Sequence, residues 1–170
     1  MTKSLIALVA LGLLLLAGQL DKIHLGNPFG PQVEVPVVDA PVCRSRDPRE
    51  HVYHPQRLTL IAQCAQVTGT VRSVRFEEDG DYHVLLELDP EFSGLVNDGN
   101  KKLQRGWLVM EPVCMNVPEV AAAREACGDY MNPLILPEVG QHVVAIGPYV
   151  LDTEHSNWAE IHPLWQINAI

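Results

Sequence analysis

Basic residues are scarce in this chain: 12 Lys and Arg stand against 21 Asp and Glu, a formal net charge of -9. A surface of that sign repels a polyphosphate backbone, so nucleic-acid binding would need a local basic patch. There is none. Lys101, Lys102 and Arg105 form only a short cluster that reads as a solvated loop. Signatures of known catalysis are missing too. Ser73, Ser93 and Ser156 stand outside any G-x-S-x-G context, and neither H-E-x-x-H, a phosphate-cradling glycine loop nor a dinucleotide fingerprint occurs. No C-x-x-C pair exists, which leaves a cysteine-based zinc site without support. These gaps favour binding over catalysis and name no cofactor.

A run of apolar residues long enough to span a membrane, ~20 residues, is also lacking. The longest covers residues 5–18, 14 positions behind Lys3, which is the make-up of a secretory signal peptide. Ala17, Gly18 and Gln19 are the small-residue candidates for cleavage, and an uncleaved N-terminal anchor is the alternative. No cysteine follows the run, so a lipoprotein is unsupported. Residues 1–20 are therefore a signal peptide or anchor, and the body of the protein is expected outside the cytoplasm. Membrane contact is expected only through this segment.

What is present fits one globular domain: 170 residues, 47% hydrophobic and 19% charged. Four cysteines, Cys43, Cys64, Cys114 and Cys127, lie outside the leader. In an oxidising compartment they pair in one of three connectivities. Proximity favours Cys43 with Cys64 and Cys114 with Cys127, worth roughly 3 kcal/mol each in the chain-entropy model.

Residues 21–54 include GNPFGPQVEVPVVDAPV, whose prolines exclude a helix or a central strand; they read as an extended linker. From residue 55 to residue 170 the pattern is mostly strands. Residues 64–77 alternate around Gly69, and Asp79-Gly80 marks a hairpin into a return strand at 81–89. Further strands are expected at 107–111, 142–152 and 158–167. Residues 118–127 suit a short helix, with Pro118 in its first turn and Gly128 at its C-cap. Asn97-Asp98-Gly99-Asn100 reads as turns.

The expected fold is all-β with one short helix: a five-stranded OB-fold-like Greek-key barrel, its helix between strands three and four. The combination of VTGTV, DGDYHV, VGQHVVAIGPYVLD and WAEIHP resembles a group of exported, largely uncharacterised OB-fold-like bacterial domains. The resemblance covers roughly residues 55–167 and implies a fold, with no established reaction.

Strand parity then sorts the polar residues. Trp158, Glu160 and His162 share one face of the last strand, while Ala159, Ile161, Trp165 and Ile167 point to the core. Asp81 and His83 share a face of the second strand, and Glu111 ends the third. Asp152 and His155 stand at the rim in the loop DTEHSN. The expectation is an outward polar face on strands two, three and five carrying these eight residues. Its bland reading is structural, and His51, His54 and His142 take that reading outright. A second reading is a ligand-binding face for a small molecule, oligosaccharide, peptide or protein, with Trp158, Trp107 and Tyr82 or Tyr149 as stacking area. A third is a divalent-metal site or metal-dependent hydrolase on His83, His155 and His162 with nearby carboxylates.

Overall fold

The structure is a computed structural model describing residues 34–43 and 47–170. The expected targeting segment, 1–20, lies outside the described residues.

The first strand, β1 (Leu58–Phe76), is long enough to serve two neighbours. It pairs antiparallel with β2 (Tyr82–Leu88) and, from Leu58 to Thr70, antiparallel with β4 (His142–Asp152). Gly69 lies where the partnerships overlap, opposite both Leu88 and Val143. A Cβ there would run into the backbone carbonyl of Glu87, so only glycine lets the strands approach so closely. The Asp79-Gly80 turn makes the expected hairpin, Gly80 adopting φ 91°.

Next, β3 (Leu108–Met110) pairs antiparallel with β2 and parallel with β5 (Trp158–Ile161), which pairs antiparallel with β4. The β1–β4 pairing closes a ring of five strands in the order β1-β2-β3-β5-β4, with β6 (Gln166–Ala169) added along β4. The molecule is thus mostly β and barrel-like.

Three sequence expectations need correction. The last strand is not continuous over 158–167. Pro163 has no N–H to donate to a ladder, and the Leu164 N–H turns away to the Glu111 carbonyl at 2.8 Å. Two short strands, β5 and β6, flank the break. Second, the described residues form two short α-helices. Residues 98–103, expected as turns, form α1 (Asp98–Leu103), because the Asn97 side chain accepts from the Gly99 and Asn100 N–H groups and Asn100 returns the bond. The expected helix is α2 (Ala121–Cys127), closed by Gly128. Third, Trp165 leaves the barrel interior and packs with Cys64 and Ile146.

The interior holds Val67, Leu86, Leu108, Met110, Ile161 and Ile167 among others, each fully buried side chain contributing about 1.5–3 kcal/mol. A second cluster, Val52, Leu58, Val113, Cys114, Cys127 and Val150, forms outside the barrel wall. Both expected disulfides are formed, Cys43–Cys64 and Cys114–Cys127, a pairing that fits an oxidising compartment. Within the segment expected as linker, Val37 bridges to Ala65 of β1.

Candidate functional site

Residues directly opposite in neighbouring strands share a face. Tyr149 opposite Ile161 and Leu151 opposite Ala159 point inward, so Val150 opposite Glu160 and Asp152 opposite Trp158 point outward. Val109 opposite Glu160 extends this outer face across β3. The parity assignment therefore holds, but the expected solvent exposure does not. Asp81, His83, Glu111, Asp152, Glu160 and His162 are all buried, the last two completely. The reason is Val150: on that same face it packs against Val52, Leu58 and Val113, which roof the wall.

The roof brings in Arg57, at the end of a single 3-10 turn, Pro55–Arg57. Its carbonyl is held by the Thr153 N–H at 2.9 Å and hydroxyl at 2.8 Å, which turns the side chain onto the face. The guanidinium donates to Asp152 Oδ2 at 2.5 Å and lies 3.7 Å from Glu111 Oε2. Glu111 is the hub. Its Oε1 is 3.2 Å from His83 Nδ1 and its Oε2 is 3.0 Å from His162 Nδ1. His162 Nδ1 also lies 2.9 Å from Glu160 Oε2, and the Trp158 indole N–H donates to the other Glu160 oxygen. The Asp81 carboxylate accepts from the Cys114 N–H at 2.6 Å. Asp152 also accepts from the Glu154 and His155 N–H groups, and its Oδ2 is 2.9 Å from His155 Nδ1. His155 lies flat on Trp158, with ring centroids 4.7 Å apart.

The eight residues singled out from the sequence thus meet around one network, seven of them buried and His155 exposed at its edge. Of the expected stacking residues Trp158 joins it and the others do not. Tyr149 is a core residue whose hydroxyl donates to the Leu95 carbonyl at 2.6 Å. Tyr82 packs edge-on against Phe76, and Trp107 lies under Arg105. Nor do His83, His155 and His162 gather as joint metal ligands: His83 and His162 address opposite oxygens of Glu111, while His155 is tied to Asp152.

Burial divides the network into charged and neutral parts. Burial disfavours the Arg57 cation, yet Glu111, Asp152 and Glu160 outweigh it and raise its pKa. Burial likewise works against protonated His83, but the hydrogen bond and charge of Glu111 raise its pKa overall. On the neutral side, burial and then Asp79 push Asp81 up to about 8. Burial pushes Glu160 up to about 7 and holds His162 down at about 4. Neutral His162 meets both Glu111 Oε2 and Glu160 Oε2 through Nδ1. Its Nε2 is buried and has no hydrogen-bond partner among the described residues.

The network opens to solvent through a cleft of about 240 Å³ whose lining includes Arg57, Glu77, His83, Glu111, His155 and Trp158. Sequence reasoning missed Arg57, Glu77 and Gln104. Gln104, just after α1, places its Oε1 3.3 Å from His83 Nε2. His54, read as structural, also lines the cleft. Among the described residues, two groups bring His and carboxylate donors within 4.8 Å of one another: Glu77, His83 and Glu111, and Asp81, Glu111 and His162.

No family model matches the chain, and comparison with the curated proteins and with the solved structures gives no match.

Proposed function

We propose that the chain is an exported OB-fold binding module whose ligand enters the cleft over His83 and Glu111. The strand order β1-β2-β3-β5-β4 closing on β1, with parallel β3 and β5 and a helix between β3 and β4, supports the OB-fold reading. Resemblance to the exported OB-fold-like domains belongs to the same reading. The two disulfides support an extracytoplasmic site of action.

One observation carries the functional part. His83 and Glu111, with side chains only 4% and 6% exposed, are ionisable groups on a sheet wall that line a cleft. Buried charges are costly unless paired. A fold that needed only a covered wall would place apolar side chains there.

The volume and lining favour a small polar ligand over an oligosaccharide or a folded partner. A cleft of about 240 Å³ falls below the ~300–1,000 Å³ of drug-sized sites. Of the aromatic side chains in the lining, Trp158 is only 9% exposed and lies beneath His155, and half-buried Tyr53 is already stacked on His54. Arg57 and Arg75 share the lining with Glu77 and Asp79, which matches a compact ligand with both donors and acceptors.

The test is a thermal-shift screen of small polar metabolites and ions against wild type and His83→Ala. A true ligand at 100 times its Kd stabilises the wild type by about 2.7 kcal/mol and leaves the variant unshifted. A panel that shifts neither protein, or both equally, refutes the reading.

A further inference from the structure

Resting on that reading of the cleft, we propose that it holds one divalent transition-metal ion, with zinc as the reference ion, on Glu77, His83 and Glu111. Zinc sits about 2.0–2.2 Å from imidazole nitrogen and carboxylate oxygen, so neighbouring donors of a tetrahedron lie about 3.3–3.6 Å apart. His83 Nδ1 is 3.2 Å from Glu111 Oε1 and 3.9 Å from Glu77 Oε1. The donors are thus close to a metal's spacing before any metal arrives. One imidazole with two carboxylates suits zinc or a neighbouring transition ion better than calcium or magnesium, which favour all-oxygen shells. The cleft leaves the fourth position to water or a small ligand.

The surroundings of each donor point the same way. A metal-bound histidine normally donates its second ring N–H to an orienting acceptor. His83 Nε2 lies 3.3 Å from Gln104 Oε1, which supplies that acceptor. The second oxygen of Glu111 is held by Arg57 and His162, so the carboxylate keeps its orientation whichever atom faces its first oxygen. Glu77 is the adjustable ligand. Its side chain is 29% exposed, and the same Oε1 accepts from Arg75 Nη2 at 2.7 Å, a guanidinium 64% exposed that metal loading displaces into solvent. Loading replaces the proton on His83 Nδ1 by the cation and releases that proton to solvent.

The inner group, Asp81, Glu111 and His162, is a poorer candidate because the Arg57 guanidinium already stands 3.7 Å from Glu111 Oε2. A second cation beside it would be repelled at short range in a buried setting.

The experiment uses the untagged full-length chain, disulfides intact, stripped with EDTA and titrated with zinc in competition with a chromophoric chelator. We expect one zinc per chain. Glu77→Gln, at a partly exposed position, folds with unchanged melting in EDTA and loses more than the ~10–100-fold in affinity that an outer-shell change costs. His142→Ala, whose exposed ring sits on half-buried Asp89, keeps wild-type affinity. Zinc binding undiminished in Glu77→Gln, or lost in His142→Ala, overturns the assignment. So does the absence of stoichiometric zinc binding by wild type. The screen of small organic ligands on EDTA-stripped protein separates this inference from the one beneath it. A ligand that binds there and needs His83 sustains the cleft as a binding site while the metal assignment fails.

Discussion

Arg57 is the residue on which the site depends most. It is the cation beside Glu111 and Asp152, and its partners at Asp152 lie 95 positions away in sequence. Removing one member of a buried ion pair leaves the other uncompensated, which costs about 3–5 kcal/mol. Arg57→Ala is therefore expected to lower stability by that amount in urea denaturation, and a loss below ~1 kcal/mol would mean the pair is effectively solvated. Asp81 gives a different signature. Its acid form is favoured on folding, because the pKa rises from 3.8 to about 8. The folded chain thus holds a proton that the unfolded chain has lost. That contribution is complete below pH 3.8 and disappears as pH rises toward 8. Glu160 acts with the same sign up to about 7, and His83, whose pKa is also raised, adds to it. His162 has the opposite sign, but its contribution is constant above 6.5. Between pH 6.5 and 8 stability should therefore fall, by up to about 1.4 kcal/mol per pH unit for each such proton. Asp81→Asn keeps an acceptor for the Cys114 N–H and has no proton to lose, so its profile should be shallower. An unchanged slope would show that Asp81 is already ionised in the folded chain.

At the scale of elements, α1 brings Gln104 beside His83, and the β5–β6 break holds the Glu111 carbonyl through the Leu164 N–H. Asn100 is fully buried, donating to the Trp107 and Ala159 carbonyls at 3.1 and 2.9 Å and accepting from the Ala159 N–H at 2.8 Å. It fastens α1 to β5, and α1 in turn leads into Gln104 beside His83. Asn100→Ala strands buried backbone groups that each cost about 1–3 kcal/mol. The expected result is a loss of at least ~2 kcal/mol, with faster hydrogen exchange at the Ala159 amide; an unperturbed Ala159 amide would refute the link. These elements also explain what could be read in advance. Alternation assigns Trp158, Glu160, Asp81 and His83 to one face because a strand's side chains have a period of two. It says nothing about what lies above that face. Val52 and Arg57 belong to a segment without periodicity, and their contacts with Val150 and Asp152 are long-range. Glu77 was hidden for a related reason: it sits where β1 gives way to the turn, so alternation no longer fixes its direction. α1 escaped notice because an Asn–Asp–Gly–Asn run has turn propensity, and its capping box is made by asparagines rather than the usual Ser or Thr with Glu.

At the scale of the whole molecule, the two disulfides brace different structures, and this separates stability from site integrity. Cys43–Cys64 ties the extended residues 34–43 to β1, beside Ile146 and Trp165. Cys114–Cys127 lies in the roof itself, packed with Val52, Leu58 and Val150, and the Cys114 N–H is the donor that holds Asp81. In the chain-entropy model either cross-link is worth about 3 kcal/mol, because loop closure depends only weakly on length. Removing each pair as a double serine variant should thus lower stability by similar amounts. Their effects on the site should differ. Cys114→Ser with Cys127→Ser loosens the cover over His83 and Glu111, whereas Cys43→Ser with Cys64→Ser leaves it braced. The reporter is Trp158, stacked under the ring of His155 and anchored through Glu160. In native conditions, acrylamide should reach Trp158 more readily in the first variant, measured against a background in which Trp107 and Trp165 are replaced by phenylalanine. Equal accessibility in both variants would mean that the roof is held by the Val52–Val150 packing and the Arg57 pair alone, with the disulfide a bystander.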